Sequence, residues 1–223
     1  MKNEAIFSLA IETTGTICSV AIFNNDVCYY LKESKIEYSH AELLAVFTDE
    51  ILKDAKLTLK QLSFIAISHG PGSYTGLRIG SAFTKGLSYC LDIPIIAVST
   101  LKSMALAMQE KNTGTNYIPL IDARRKEVYM QVFDKDLNEL SQASAHILDN
   151  NSFKEYSGNI CIGGDACTKC KDEINNTKEM IFIEEDLRSS KHIGKLAYTK
   201  FRKRKFEDTA YFEPFYLKKF TGK

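Results

Sequence analysis

The chain has 223 residues, of which 44% are hydrophobic and 26% charged, with 29 Lys and Arg against 28 Asp and Glu. That composition supports one large domain or two lobes of roughly 100 residues each and excludes global disorder. The net charge of +1 excludes whole-chain attraction to nucleic acid or membrane, so any polyanion has to be met by a local patch.

The N-terminal MKNEAIFSLAIETTG places Glu4 ahead of a short apolar run and then turns polar. This fits neither a signal peptide nor a membrane span, so a cytoplasmic protein is expected. Six cysteines, Cys18, Cys28, Cys90, Cys161, Cys167 and Cys170, are too few for a secreted disulfide scaffold. They are expected to be reduced and mostly buried.

Periodicity predicts a strand over 6–11, a turn over 12–16, a second strand over 17–23 and, past Asn24-Asn25-Asp26, a third over 27–31. Ser39 is placed to cap a helix over 40–56, with Glu42 at the capping-box position. A buried strand over 64–68 enters a glycine-rich loop, a helix follows over 75–91, then a strand over 95–98 and a helix over 100–110 capped by Ser99. The polar segment 111–116 reads as a boundary, giving lobes 1–110 and 111–223. Beyond it come paired strands over 117–121 and 127–133, a further strand over 145–148, a short helix over 150–156 and a strand over 160–163. A helix over 165–175, a strand over 180–183, a basic helix over 190–204 and an extended stretch over 212–220 complete the chain. Hairpins followed by strand and helix alternation, occurring twice, indicate two related α/β lobes.

The densest signal is Ser68–Gly80, SHGPGSYTGLRIG, with Gly70, Gly72, Gly76 and Gly80 between an apolar strand and an apolar helix. Such a joint is either an anion cradle at a helix N-terminus or a place where backbones pack closely. It lacks the Gly-Lys-Ser/Thr ending of a P-loop and the dinucleotide spacing. Ser73 invites a hydrolase reading, but Pro71 and Thr75 stand where a nucleophile elbow needs glycine. The C-x5-C-x2-C run at Cys161, Cys167 and Cys170 lacks a second C-x2-C pair, which leaves zinc weakly supported and the role of the cluster open.

At 100° per residue, Leu44, Phe47, Ile51, Leu52 and Ala55 share one arc of the first helix, leaving Leu43 and Val46 outside it. In the second helix Ile79, Phe83, Leu87 and Cys90 share a face flanked by Gly76, Gly80 and Gly86, with Leu77 and Tyr89 directed elsewhere. The leftover apolar residues are either a partner surface or a wider core. Lys200–Lys205, KFRKRK, with Lys218 and Lys219, is the strongest basic cluster. It reads as a solvated helix face or as a phosphate contact, without an aromatic platform for bases beyond Phe201 and Phe206.

AIETTGTICSVAIF near the start, the Ser-His region at 39–44, GPGSYTGLRIG at 70–80, DARRKEVY at 122–129, GGDA at 163–166 and EPFYLKK at 213–219 together resemble the TsaB (YeaZ) family of tRNA threonylcarbamoyladenosine (t6A) biosynthesis proteins. The resemblance implies a two-lobe fold of the actin, hexokinase and Hsp70 (ASKHA) type, each lobe a mixed sheet with flanking helices. It further implies a catalytically silent subunit that pairs with a homologous TsaD transferase, joined by a TsaE-like ATPase, with tRNA met through the complex; whether the chain is a homodimer or a monomer when alone stays open. The two helices after the N-terminal meander then become the partner face, with His40, Leu43, Val46, Phe47, Tyr74, Leu77, Arg78 and Ser81 as its contacts. The candidate phosphate-loop residues are Glu12, Thr13, Thr14, Gly15, Gly70, Gly72, Ser73 and Asp122, and Arg202, Lys203, Arg204 and Lys205 are the candidate tRNA contacts, with contact between the basic helix and tRNA left open. The second hairpin loop, Asp122–Lys126, has no glycine, so no cofactor is expected to bind tightly to the chain alone; ATP or ADP at the complex interface stays open. The family's catalytic relative carries two histidines four apart, whereas His40 is followed at that spacing by Leu44, so no metal site is expected. The rival readings are an ATP-using phosphotransferase and a glycoprotease-like peptidase.

Overall fold

The computed structural model describes residues 5–36, 39–111, 114–156, 158–174 and 180–218. The middle of the expected boundary segment, the last residue of the 165–175 helix, Glu4 and the tail with Lys219 lie outside them. Two compact units emerge, Met1–Thr100 with Arg188–Phe215, and Leu101–Leu187 with Tyr216–Lys223.

The first unit begins with the meander β1 (Phe7–Glu12), β2 (Cys18–Asn24) and β3 (Val27–Ser34), continues through α1 (His40–Asp54) and a 3-10 turn, Leu59–Gln61, into β4 (Leu62–Gly70), and adds α2 (Tyr74–Leu91) and β5 (Ile95–Ser99). The second unit holds α3 (Thr100–Lys111), β6 (Asn116–Asp122), β7 (Glu127–Met130), β8 (Phe133–Asp134), β9 (Ser144–Ile147), β10 (Ile160–Gly163), α4 (Cys167–Glu173) and β11 (Met180–Ile183). The chain then returns to the first unit as α5 (Ser190–Arg202).

The first sheet has the order β3-β2-β1-β4-β5, antiparallel within the meander and parallel from β1 to β5. β1, β2 and β4 are buried along almost their whole length, as strands covered on both faces must be. On one face Leu9, Ile11, Val20 and Ile22 pack with Leu44, Ile51 and Leu52 of α1. On the other, Ala10, Ala21, Phe23 and Ala66 meet Ile193 and Ala197 of α5. The second sheet has the order β11-β10-β6-β7-β9, with β8 also on β6. Leaving β8 aside, both sheets read third, second, first, fourth, fifth strand, so the repeat expected from the sequence is a repeat of topology.

Four expectations are corrected. A single cut at 110/111 is replaced by a discontinuous division, because α5 offers an apolar stripe that fits the alanine-rich face of the first sheet, while α3 belongs to the second unit. The 127–133 strand is split: β7 ends at Met130, and Phe133 re-pairs with Tyr117 of β6. The helix over 150–156 is a run of turns, since burying Phe153 takes its backbone to φ +70°. Ser39 does not cap α1 through its side chain; its hydroxyl donates to Ile36 O at 2.6 Å.

Candidate functional site

The Gly15 loop joins β1 to β2 and carries the first set of expected phosphate contacts. Glu12 is fully buried; its Oε1 accepts from Thr14 N–H at 2.5 Å and from the Thr14 hydroxyl at 2.6 Å. Burial raises the carboxyl pKa, against the lowering effect of the Thr14 hydrogen bonds and, last, of Arg188. Thr13 donates its hydroxyl to Gly76 O at 2.8 Å, and Ser73 N–H donates to Thr14 O at 2.7 Å. The loop is thereby tied to the first turn of α2.

That tie explains the glycine-rich motif. A Cβ at 72 would lie 2.6 Å from Thr14 Cβ, one at 76 would overlap the Thr13 carbonyl oxygen, and one at 80 would overlap the Thr13 hydroxyl. Of the two readings open in the sequence, close packing is what these positions do. Two of the four amides at the head of α2 are spent on the chain itself: Ser73 N–H donates to Thr14 O at 2.7 Å and Gly76 N–H to Ser73 Oγ at 3.2 Å, while Leu77 N–H makes the first helical bond, to Ser73 O at 2.9 Å. Ser73 is therefore a helix cap. Gly70 sits at φ +120°, and a side chain there would strike Phe215 O, whose own N–H donates to His69 O at 2.7 Å. The remaining side of the loop is covered by Arg188, only 3% exposed, whose guanidinium lies over Gly15 and reaches Thr14 O at 3.4 Å.

His40, the first residue of α1, is buried against the same loop. Burial lowers its pKa, opposed by hydrogen bonds to the backbone at Ile17 and Gly15. It belongs to this joint and does not line an outward face, which corrects its place among the partner contacts. Leu77 (1% exposed) and Ser81 are corrected likewise: α2 lays Gly76, Leu77, Gly80, Ser81, Thr84 and Ser88 inward. Small residues on that stripe let the helix approach the sheet. The stripe read as core-facing, Ile79, Phe83 and Leu87, instead lies half-buried alongside α1, and Cys90 is exposed.

What stays outward is a narrower face. Val46 is 47% exposed, Leu43 and Phe47 are half-buried, and Arg78 stacks 5.5 Å over the Tyr74 ring. Elsewhere on α1 and α2 a groove of about 330 Å³ is lined by Ala45, Thr48, Leu52, Leu57, Leu59, Phe83 and Leu87, with Asp49 and Lys53 also on its wall; none of the outward residues just named lines it. Such an apolar hollow with a polar rim has the chemistry of a protein-docking face.

In the second unit Asp122 is exposed at the β6–β7 turn, accepting from Arg124 N–H at 2.7 Å and pairing with Lys169, while its own N–H donates to Asp165 Oδ1 at 2.9 Å. Cys161, Cys167 and Cys170 are buried, and burial pushes their thiols up to about 11, 12 and 12, so they sit as neutral packing groups. Among the described residues no group of three His, Cys, Asp or Glu side chains is placed to hold a metal ion, and no helix is long and apolar enough to cross a membrane. Arg202, Lys203, Arg204 and Lys205 are all exposed at the end of α5. Lys200 is not part of that cluster, since its ammonium donates to Ala97 O at 2.6 Å, and Phe201 stacks on Phe64 at 4.6 Å, which removes it as a base platform. Lys218 lies in the second unit, paired with Glu127.

A family model described as TsaD, tRNA N6-adenosine threonylcarbamoyltransferase, matches residues 26–220. The chain is similar to the tRNA threonylcarbamoyladenosine biosynthesis protein TsaB of Buchnera aphidicola subsp. Acyrthosiphon pisum, at 36% identity over 68% of this chain and 69% of the relative. It is also similar to TsaB of Haemophilus influenzae, at 36% over 58% of this chain and 53% of the relative, and of Escherichia coli, at 35% over 58% and 56%. The alignments thus cover 53 to 69% of these relatives' own lengths. Among solved structures, YeaZ from Pseudomonas aeruginosa superposes with a TM-score of 0.84 at 22% identity, covering 95% of this chain and all of that one. A protein with similarity to peptidase YEAZ from the same organism gives 0.86 at 21%, covering 96% and 100%. An inorganic polyphosphate/ATP-glucomannokinase from Arthrobacter gives 0.50 at 10%, covering 89% and 99%. At these identities the structural likeness establishes the fold alone, which is the ASKHA-type fold expected from the sequence.

Proposed function

Because the chain belongs to the TsaB (YeaZ) family of t6A biosynthesis proteins, we propose that it acts as a non-catalytic subunit, pairing through the outward face of α1 and α2 with a homologous TsaD-type transferase. The transferase would carry the active site that places a threonylcarbamoyl group on N6 of adenosine 37 in tRNAs reading ANN codons. A TsaE-like ATPase would join the assembly, and a separate enzyme would supply the threonylcarbamoyl adenylate. The chain's contribution would be to hold its larger relative in an active arrangement.

The observation that carries this reading is the closed Gly15 loop. Two of the four amides at the head of α2, those of Ser73 and Gly76, are spent on the chain itself, and Arg188 covers the other side of the loop, which works against a phosphate seat there. The rival enzyme readings lose their best candidates in the same place, since Ser73 is a cap and Glu12 is buried under Thr14. The exposed Val46 and the apolar groove between α1 and α2 support a surface for the pairing.

The test is pairing with the large subunit from the same organism, followed by calorimetry, using Val46→Glu and Leu43→Glu. Weakened pairing with unchanged melting supports the face. Full affinity in both variants would remove it.

A further inference from the structure

The turn between β6 and β7 has a feature that folding does not require. Arg124 and Arg125 both adopt left-handed backbone conformations, φ +69° and +52°. Consecutive left-handed residues at a hairpin tip favour Asn-Gly, because a Cβ is disfavoured in that region. Two arginines are a poor choice for the backbone, so the reason for them lies in their side chains.

The charges around the tip are already closed on one another. Lys126 pairs with Glu173 at 2.9 Å, Lys169 with Asp122, and Lys218 with Glu127. Both acids flanking the turn are thereby neutralised. Arg124 and Arg125 are exposed, and among the described residues neither guanidinium is held by a partner. They are the unbalanced charge of the hairpin.

We propose that the Arg124–Arg125 tip is a contact for the phosphodiester backbone of RNA, one guanidinium to each of two phosphates. The inference rests on the reading of the chain as part of a tRNA-modifying assembly and adds to it a contact in the second unit. Guanidinium forks match phosphate oxygens in a bidentate manner. The tip between Asp122 and Glu127 offers only Ala123 and charged side chains, so it lacks the apolar anchor on which a protein partner would depend. The loop's want of glycine, which stops its backbone from cradling a nucleotide, does not hinder long side chains from reaching a strand of RNA.

The experiment uses the full chain assembled with its large transferase subunit and an unmodified tRNA transcript, with binding measured across about 50 to 200 mM salt. The variant is Arg124→Asn with Arg125→Gly, which gives the turn the residues its backbone favours. The expected result is a raised melting temperature together with weaker tRNA binding, the slope of log affinity against log salt becoming shallower by about 0.7–0.9 for each phosphate that is no longer neutralised. An unchanged slope and affinity would overturn the inference, and so would a lowered melting temperature, which would mark the arginines as structural. Retained tRNA binding with weakened pairing to the large subunit would point to an acidic protein surface and also overturn it. If the wild-type chain is required for modification and the slope does not move, this RNA contact alone fails. If the chain is dispensable for modification, the reading beneath it fails.

Discussion

Gly76→Ala separates the two uses of the glycine-rich joint, because the same helix supplies its own control. At Gly86 an added Cβ meets nothing within 4 Å, so Gly86→Ala gains only helix propensity, about 1 kcal/mol of added stability. At Gly76 the same methyl overlaps the backbone carbonyl oxygen of Thr13. That oxygen cannot rotate away as a side chain could. Overpacking of this kind costs about 1–3 kcal/mol, and the Thr13 hydroxyl bond to Gly76 O, worth about 1 kcal/mol, is disturbed with it. After subtracting the propensity gain, Gly76→Ala should lose about 1–3 kcal/mol while Gly86→Ala gains about 1. In a chain of this length each 1 kcal/mol moves the melting temperature by about 2–4 °C, so the two variants diverge by several degrees. Urea titrations with an unchanged slope give the numbers directly. Equal stability of the two variants would refute the packing account of the joint.

Leu77→Glu should cost several kcal/mol and prevent folding, since it buries an unpaired carboxylate, whereas Val46→Glu should melt like wild type; circular dichroism distinguishes them, and a folded Leu77→Glu protein would contradict the placement of α2. The His69 imidazole, set against the Phe215 ring at 6.0 Å, is pushed down to about 4 by burial and, secondarily, by Lys200. Its folded-state pKa lies below its unfolded value of about 6.5, so the unfolded chain holds more protons between those limits and stability rises with pH across them. The stability difference between wild type and His69→Gln should therefore change by about 3 kcal/mol from pH 4 to pH 7 and level off above; a flat difference would show that His69 is not held neutral. Among the thiols, exposed Cys90 should react quickly with an aromatic disulfide reagent and Cys161, Cys167 and Cys170 only on unfolding, with rapid labelling of the latter three contradicting their burial.

Most of the strands and helices were legible because their signals are local. Alternating and continuous apolar runs marked β1, β2 and β4, and polar turns separated them. The repeat of strand order followed from the same pattern. Failures came where a residue's size or a distant partner decides the outcome. The inward stripe of α2 is Gly76, Gly80, Ser81, Thr84 and Ser88 with Leu77, and a count of hydrophobic residues picks the neighbouring stripe because smallness, not apolarity, brings the helix onto the sheet. The turns at Phe153 answer to core burial that no local propensity encodes. Arg188 has no local signal: nothing near LRSS announces that its guanidinium lies over Gly15, 173 residues earlier in the chain. The return of α5 to the first sheet is likewise a property of two faces meeting, visible only once both are built.

The most direct measurement is reconstituted threonylcarbamoylation of tRNA from the organism's own large subunit, ATPase and adenylate-forming enzyme, with and without this chain. The account predicts that modification requires the chain, while the chain alone neither hydrolyses ATP nor modifies tRNA. Full modification in its absence, or turnover by the chain alone that is abolished by Glu12→Gln, would contradict it.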